Sequence, residues 1–260
     1  MKWYRILAVA RRYFSVTFCT LSRVFNIFYW PFINIVVWGI TSVWIQQFSS
    51  QPQITQSILT GLVLWQIVFR VNLETAKGVF EELVHQNIVN LFSSPLTWSE
   101  WVSALMIIGT LHMALVTLVS SALVKILYNV NMLALGWSLI PFMTLLLMSG
   151  WFIGFFICGL LIYGGLKTQD YIYTIGYLFA PFSAIYYPVT ALPKNAQLIA
   201  SWLPTTSIFE AMREVLHTGT YSPELLVKSL LLNAVYLVLS LGFFYAMFEL
   251  RRERGLGQKD

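Results

Sequence analysis

Between Leu133 and Tyr163 the chain carries no charged residue over 31 consecutive positions. A helix crosses the roughly 30 Å of bilayer hydrocarbon with about 20 residues, and two crossings plus a turn need about 40. The run therefore reads as one long, tilted membrane span, with Pro141 placed to kink it. The rest of the sequence agrees. Charged residues make up only 10% and hydrophobic residues 58%, against about 25% charged in soluble domains. We expect an all-α integral membrane protein, organised as a single domain over residues 1–260.

Further apolar runs at 24–46 (with Pro31 near its start), 57–73, 101–126 and 225–248 supply four more spans. Residues 171–204 are also apolar, but Pro181, Pro188, Pro193 and Pro204 interrupt them. Each proline removes a backbone donor, and in lipid broken backbone is tolerated only against protein or a water-filled cavity. Charge decides how this region runs. With a cytoplasmic N-terminus, alternating spans place Lys2, Arg5, Arg11, Arg12, Arg23, Arg70, Lys77, Lys167, Arg251, Arg252, Arg254 and Lys259 inside. Only Lys125, Lys194, Arg213 and Lys228 fall outside or near the outer face, a clear positive-inside bias. Two crossings within 171–204 would put Arg251, Arg252 and Arg254 outside, and 34 residues are too few for them. One crossing followed by a re-entrant hairpin from the outer face satisfies both constraints. Six spans result, both termini are cytoplasmic, and the expected location is the inner cell membrane. The net charge of +5 is thus topological and calls for no nucleic acid.

Three local patterns add detail. In residues 1–22, Trp3, Leu7, Ala10, Phe14 and Phe18 share one helical side while Lys2, Arg5 and Arg12 share another, which predicts an amphipathic interface helix. Over 76–92, Phe80, Leu83, Val84, Asn87, Ile88 and Leu91 recur at helical spacing, with Glu81, Glu82, His85 and Gln86 forming a polar face. Pro95 ends that cytoplasmic helix, and Thr97-x-x-Glu100 caps the next. On the outer side, Ser207-x-x-Glu210 predicts a capped short helix over 208–217, stopped at Gly219. Ser222-Pro223-Glu224 then opens the last span.

No enzyme constellation is legible. G-x-x-x-x-G-K-[ST], G-x-S-x-G and H-E-x-x-H are all missing, so ATP is not expected to bind this chain. His85, His112 and His217 are expected to lie too far apart to share a site. No metal site is expected, and Cys19 and Cys158 read as small buried hydrophobes. Arg70 and Glu74 sit at the spacing of an i,i+4 pair. His112, near the middle of the third span, is the one intramembrane polar candidate. Gly150-x-x-x-Gly154 allows close helix packing.

Two segments carry a resemblance. "FEELVHQNIVNLFSSPLTWSEWV" (80–102) and "FAPFSAIYYPVTALPKNAQLIASWLPTTSIFEAMREVL" (179–216) are similar to the two hallmark regions of type-two ABC exporter permease subunits. The amphipathic start and the order of spans resemble that family along the whole chain. The resemblance implies two permease copies, a homodimer, above two copies of an ATP-binding subunit that holds ATP and Mg. Residues 76–92 would be the coupling helix, with Glu81, Glu82, Leu83, Asn87, Ile88 and Leu91 engaging the ATPase. The re-entrant region 179–217, with Pro181, Tyr187, Pro188, Leu192, Pro193, Pro204, Glu210 and Arg213, would form the outer gate. The cargo would be lipidic or amphiphilic. Polysaccharide permeases of the family often carry an Arg-Tyr-Arg and Leu-Gly-x-x-Trp pattern at the first span, which "LSRVFNIFYWPFINIVVWG" (21–39) lacks. A lipid-linked polysaccharide exporter, a passive channel or scramblase, and an assembly subunit stay open as alternatives.

Overall fold

The computed structural model describes residues 2–48 and 53–254; the polar loop at 49–52 and the tail from 255 lie outside the described residues. Every regular element among the described residues is helical: α1 (Trp3–Phe18), α2 (Leu21–Gln47), α3 (Ile54–Val84), α4 (Ile88–Ser93), α5 (Trp98–Tyr128), α6 (Leu139–Gly164), α7 (Tyr171–Phe182), α8 (Lys194–Ser201), α9 (Pro204–Thr218) and α10 (Pro223–Arg254). Five stretches are long and apolar enough to cross a membrane: Arg23–Gln47, Ile54–Val84, Trp98–Tyr128, Met132–Thr168 and Pro223–Glu253. These helices leave a broad apolar surface, including Val227, Leu230, Leu231, Val235 and Val238 on α10, and only lipid or another apolar surface can cover it. The chain is a multi-pass, helical membrane protein.

α3 is the central element, buried along most of its length. Its neighbours alternate in direction. α6 runs parallel to it, because Gly150 lies against Val71 and Gly154 against Thr75. α10 runs parallel to α6, with Asn233 bonded to Ser149 and Phe244 stacked on Phe155. α5 is antiparallel to α3, with Leu105 at Gly78 and Thr75 at Gly109. α2 is antiparallel as well, since Gln46 meets Thr55 while Ile27 meets Arg70.

α7 has only 12 residues, about 18 Å of helix, well short of a bilayer core. It too descends antiparallel along α3, from the Lys77–Tyr173 contact past Phe69–Tyr177. The irregular chain after it continues until Ile185 packs on Gly61. Pro181 does not break α7 but sits in its last turn; the helix ends at Phe182, where Ser183 turns back onto Phe179. α8 then leads into the body, and the Trp202 carbonyl accepts from Tyr236, thirteen residues and about 20 Å along α10. α9 returns from that depth beside α10, ending at Gly219 in the left-handed conformation.

Four local expectations need correction. The kink before α6 is at Gly136 (φ 56, ψ −138), where only glycine is comfortable, and Pro141 sits in the first turn of α6, which needs no donor there. α9 starts at Pro204 rather than 208, because proline at its first position begins the helix before Ser207; no capping box forms there. The capping box at Thr97 and Glu100 is present. Cys19 is exposed just beyond α1, whereas Cys158 is buried against Thr75.

The largest correction concerns residues 76–92, which do not form one helix. α3 runs unbroken to Val84, then ends in a Schellman turn in which Gln86 donates to Leu83 O (3.1 Å) and Asn87 to Glu82 O (2.9 Å). Gln86 takes the left-handed conformation (φ 52) that glycine usually fills. Gln86→Gly is expected to raise stability by about 1 kcal/mol, read as a higher thermal midpoint in detergent.

Candidate functional site

Arg70, Glu74, Lys77 and Glu81 recur at spacings of four, three and four, which lines them along one face of α3. At that level α1, α2, α5 and the start of α7 surround the face without closing on it. The result is a cavity of about 530 Å³. Its walls include Tyr13, Arg23, Ile27, Phe80, Ile108, His112, Ile172 and Tyr173, in addition to the α3 row.

The deep end is a buried charge cluster. Arg70, 4% exposed, donates through Nη1 to Glu74 Oε1 (3.3 Å) and through Nη2 to Ile27 O (3.2 Å). His112, 1% exposed, places Nδ1 2.9 Å from Glu74 Oε2, although in poor alignment for a hydrogen bond. The Phe18 ring packs on its imidazole, 5.6 Å between centroids. Nearer the mouth, Arg23 donates to Glu81 at 2.6 Å. Lys77 Nζ sits 5.8 Å from the Tyr173 ring centroid. Buried charges are tolerated only when paired in this way, and in a membrane protein they mark places that handle polar ligands. The Arg70–Glu74 pair was legible from its spacing. His112 joins it from 38 positions away, which no local pattern reveals, and His85 lines the same cavity. The expectation that the histidines are too far apart holds for His217 only.

Beside the cavity α1 is welded to the α3–α4 elbow. Glu82 accepts from Tyr13 OH (2.8 Å) and Asn87 Nδ2 (2.7 Å) and also pairs with Arg12; Trp101 Nε1 donates to Tyr13 OH (3.0 Å). Burial first, and then the neighbouring Glu82 carboxylate, push the Tyr13 phenol far above its usual value, so it stays a donor. A second tie joins the Lys2 amide and the Arg5 guanidinium to Glu100. α1 therefore has two useful faces. Ile6, Ala10, Tyr13 and Thr17 are buried against the bundle, while Trp3, Leu7 and Phe14 remain exposed.

This arrangement alters the predicted polarity of the elbow in part: His85 and Gln86 face outward and Ile88 and Leu91 are buried as expected, but Glu82 is buried and Val84 exposed. Of the residues assigned to ATPase contact, Glu82, Ile88 and Leu91 are buried, and Glu81, Leu83 and Asn87 are half-buried. Val84, Gln86, Val89 and Asn90 face outward instead. The cause is the basic helix α1, which occupies the side that the acidic residues face.

At the far end of the bundle, the predicted gate residues mostly hold turns in place. Tyr187 OH donates to Pro181 O (2.6 Å), Gln197 Nε2 to Leu192 O (2.7 Å), and Arg213 Nη1 to Ala184 O (2.7 Å). Pro188 opens a 3-10 turn over 189–191, Pro193 caps α8, and Glu210 is half-buried on α9. Ser183 and Thr205 bond across the base of the hairpin at 2.7 Å. Gly150 and Gly154 contact α3 within the chain. Compared with known proteins, the sequence matches no family model, and no curated protein is detectably similar to it.

Proposed function

We propose that the chain is the membrane permease subunit of an ATP-driven exporter of the type-two ABC class, which moves a lipidic or amphiphilic cargo. One observation carries this reading: the elbow formed by the end of α3 and α4 is rigidly locked to α1 and presents Val84, Gln86, Val89 and Asn90 outward. A stiff protrusion on the most buried helix is the element a separate motor needs in order to push on the bundle. The same end carries α1 and the C-terminal turns of α10, where Phe248 packs on Phe92. In the proposal this end is cytoplasmic, and α7 with its irregular continuation to Ile185 makes the sixth crossing. The α8–α9 hairpin is then re-entrant from the outer face. Two permease copies and two ATP-binding subunits, holding ATP and Mg, complete the transporter.

Purification from the native membrane with its co-eluting ATPase, followed by reconstitution in liposomes, tests the reading. Val89→Asp on the exposed elbow is expected to cut ATP-dependent flux by about tenfold, with unchanged thermal stability, as loss of one good docking contact does. Flux that needs no nucleotide would instead establish a passive channel or scramblase. Wild-type coupling in Val89→Asp would remove the elbow from the mechanism.

A further inference from the structure

We infer that the cavity between α1, α2, α3, α5 and α7 is a binding site for a phosphate monoester carried by an amphiphile. The argument begins with unused hydrogen-bonding capacity. Arg70 is 96% removed from solvent, yet its Nε–H has no acceptor in the protein. His112 Nε2 likewise has no partner, while its Nδ1 faces Glu74 Oε2 at 2.9 Å. A buried guanidinium nitrogen left without an acceptor is costly, so the site calls for an acceptor from elsewhere.

The charges then select the kind of acceptor. Glu74 is held by Arg70 and His112, and Glu81 by Arg23. Lys77 lies between them on the same face, and among the described residues no carboxylate pairs with it; its neighbour is the Tyr173 ring. Arg70 and Lys77 are seven positions apart, two turns of helix and about 10 Å between Cα atoms, a gap their long side chains can close around a tetrahedral oxyanion. Guanidinium and ammonium groups together give phosphate its strongest protein contacts. His112 Nε2, also without a partner, adds a polar atom to the same wall. The carboxylates are already neutralised by partners, except Asp170, which sits exposed at the mouth.

Ile27, Phe80, Ile108 and Ile172 supply an apolar wall beside these donors. A volume of about 530 Å³ takes a phosphorylated headgroup together with the start of an aliphatic chain. In the export reading this is where cargo is first gripped. Binding itself needs no ATPase, so it can fail while the export reading stands, and the reverse.

The full chain, purified without an ATPase, is placed in phosphatidylcholine nanodiscs doped with phosphatidic acid, and the lipid retained after detergent exchange is counted by native mass spectrometry. We expect phosphatidic acid to be retained over phosphatidylcholine. Lys77→Gln should lower that retention by about tenfold, while Arg11→Gln, on the exposed side of α1, leaves it unchanged. Lys77 makes a ring contact and a longer-range attraction to Glu74 but no ion pair among the described residues, so its variant is expected to fold; thermal melts of each variant verify this. Inorganic phosphate is then added. Displacement of the lipid assigns the site to the oxyanion of any small phosphate ester, and resistance to displacement assigns it to a phospholipid whose chain contributes. Equal retention of phosphatidylcholine, or wild-type retention in Lys77→Gln, overturns the inference.

Discussion

Replacing Glu82 with alanine is expected to free α1 from the bundle and to cost about 2–4 kcal/mol of stability. Glu82 is 1% exposed and is the shared acceptor for Tyr13, Asn87 and Arg12. Its removal leaves Tyr13 OH buried without the acceptor that its own donor needs, and it removes the side chain that ties Asn87 to the last turn of α3. The ion pair itself adds little, because the Arg12 side chain is 44% exposed and screened by solvent. Arg12→Ala is therefore expected to cost less than about 1 kcal/mol, and Glu82→Gln, which keeps an acceptor, to fall between the two. Thermal melts in detergent, with limited proteolysis of the N-terminal segment as a second readout, measure the order. Equal stability of Glu82→Ala and wild type would mean that the network does not hold α1. The result also bears on function: a transport defect in a Glu82 variant reports a loosened elbow, whereas a defect in Val89→Asp at full stability reports lost docking.

The acidic elbow shows where sequence stops being informative. The period of Phe80, Leu83, Ile88 and Leu91 fixes a helical pattern and an apolar side, but a polar side faces either water or an oppositely charged neighbour. Which of these obtains depends on α1, about 70 positions away. The same limit hid the cavity. Arg70 and Glu74 are readable as an i,i+4 pair, yet His112, Arg23 and Tyr13 arrive from other helices. Local chemistry was legible wherever one element decides the outcome. Thr97 and Glu100 form their capping box, Gly219 closes α9, and Pro223 with Glu224 opens α10. It failed where two local signals compete, as at Pro204 against Ser207, where the proline wins by starting the helix four residues earlier. The proline series at 181–204 was informative about irregular backbone but not about its position. Only Pro188 and Pro193 lie in the broken stretch, whereas Pro181 is absorbed in a helix end and Pro204 begins a helix.

Gly150→Leu is expected to disrupt the protein more severely than any polar substitution, lowering stability by about 3 kcal/mol or more. α3 and α6 are parallel helices held close because two glycines of α6 face α3. A Cβ at Gly150 would lie 2.6 Å from Val71 Cβ and 3.1 Å from Val68 O; one at Gly154 would lie 2.9 Å from Thr75 Cβ and 3.2 Å from Asn72 Cα. None of these is the far end of a flexible chain. The contacts at Val71 and Thr75 are to Cβ, which no rotamer change moves, and backbone cannot rotate away, so the helices themselves must separate. Separation along α3 also opens the lower wall of the charged cavity, since Thr75 lies beside Glu74. Gly242→Leu is the matched control: it is a glycine on α10 with open space around it, and a better helix former there is expected to be neutral or stabilising by up to about 1 kcal/mol. Adding Val71→Ala to Gly150→Ala removes Val71 Cγ1, 2.9 Å from the new Cβ, but keeps Val71 Cβ at 2.6 Å, so the pair should be only partly relieved, somewhat less damaging than the sum of its parts. Thermal melts followed by size-exclusion recovery compare the two leucine variants, the two alanine variants and their pair. Gly150→Leu melting with Gly242→Leu would show that the parallel contact of α3 and α6 is not what holds the centre of the bundle.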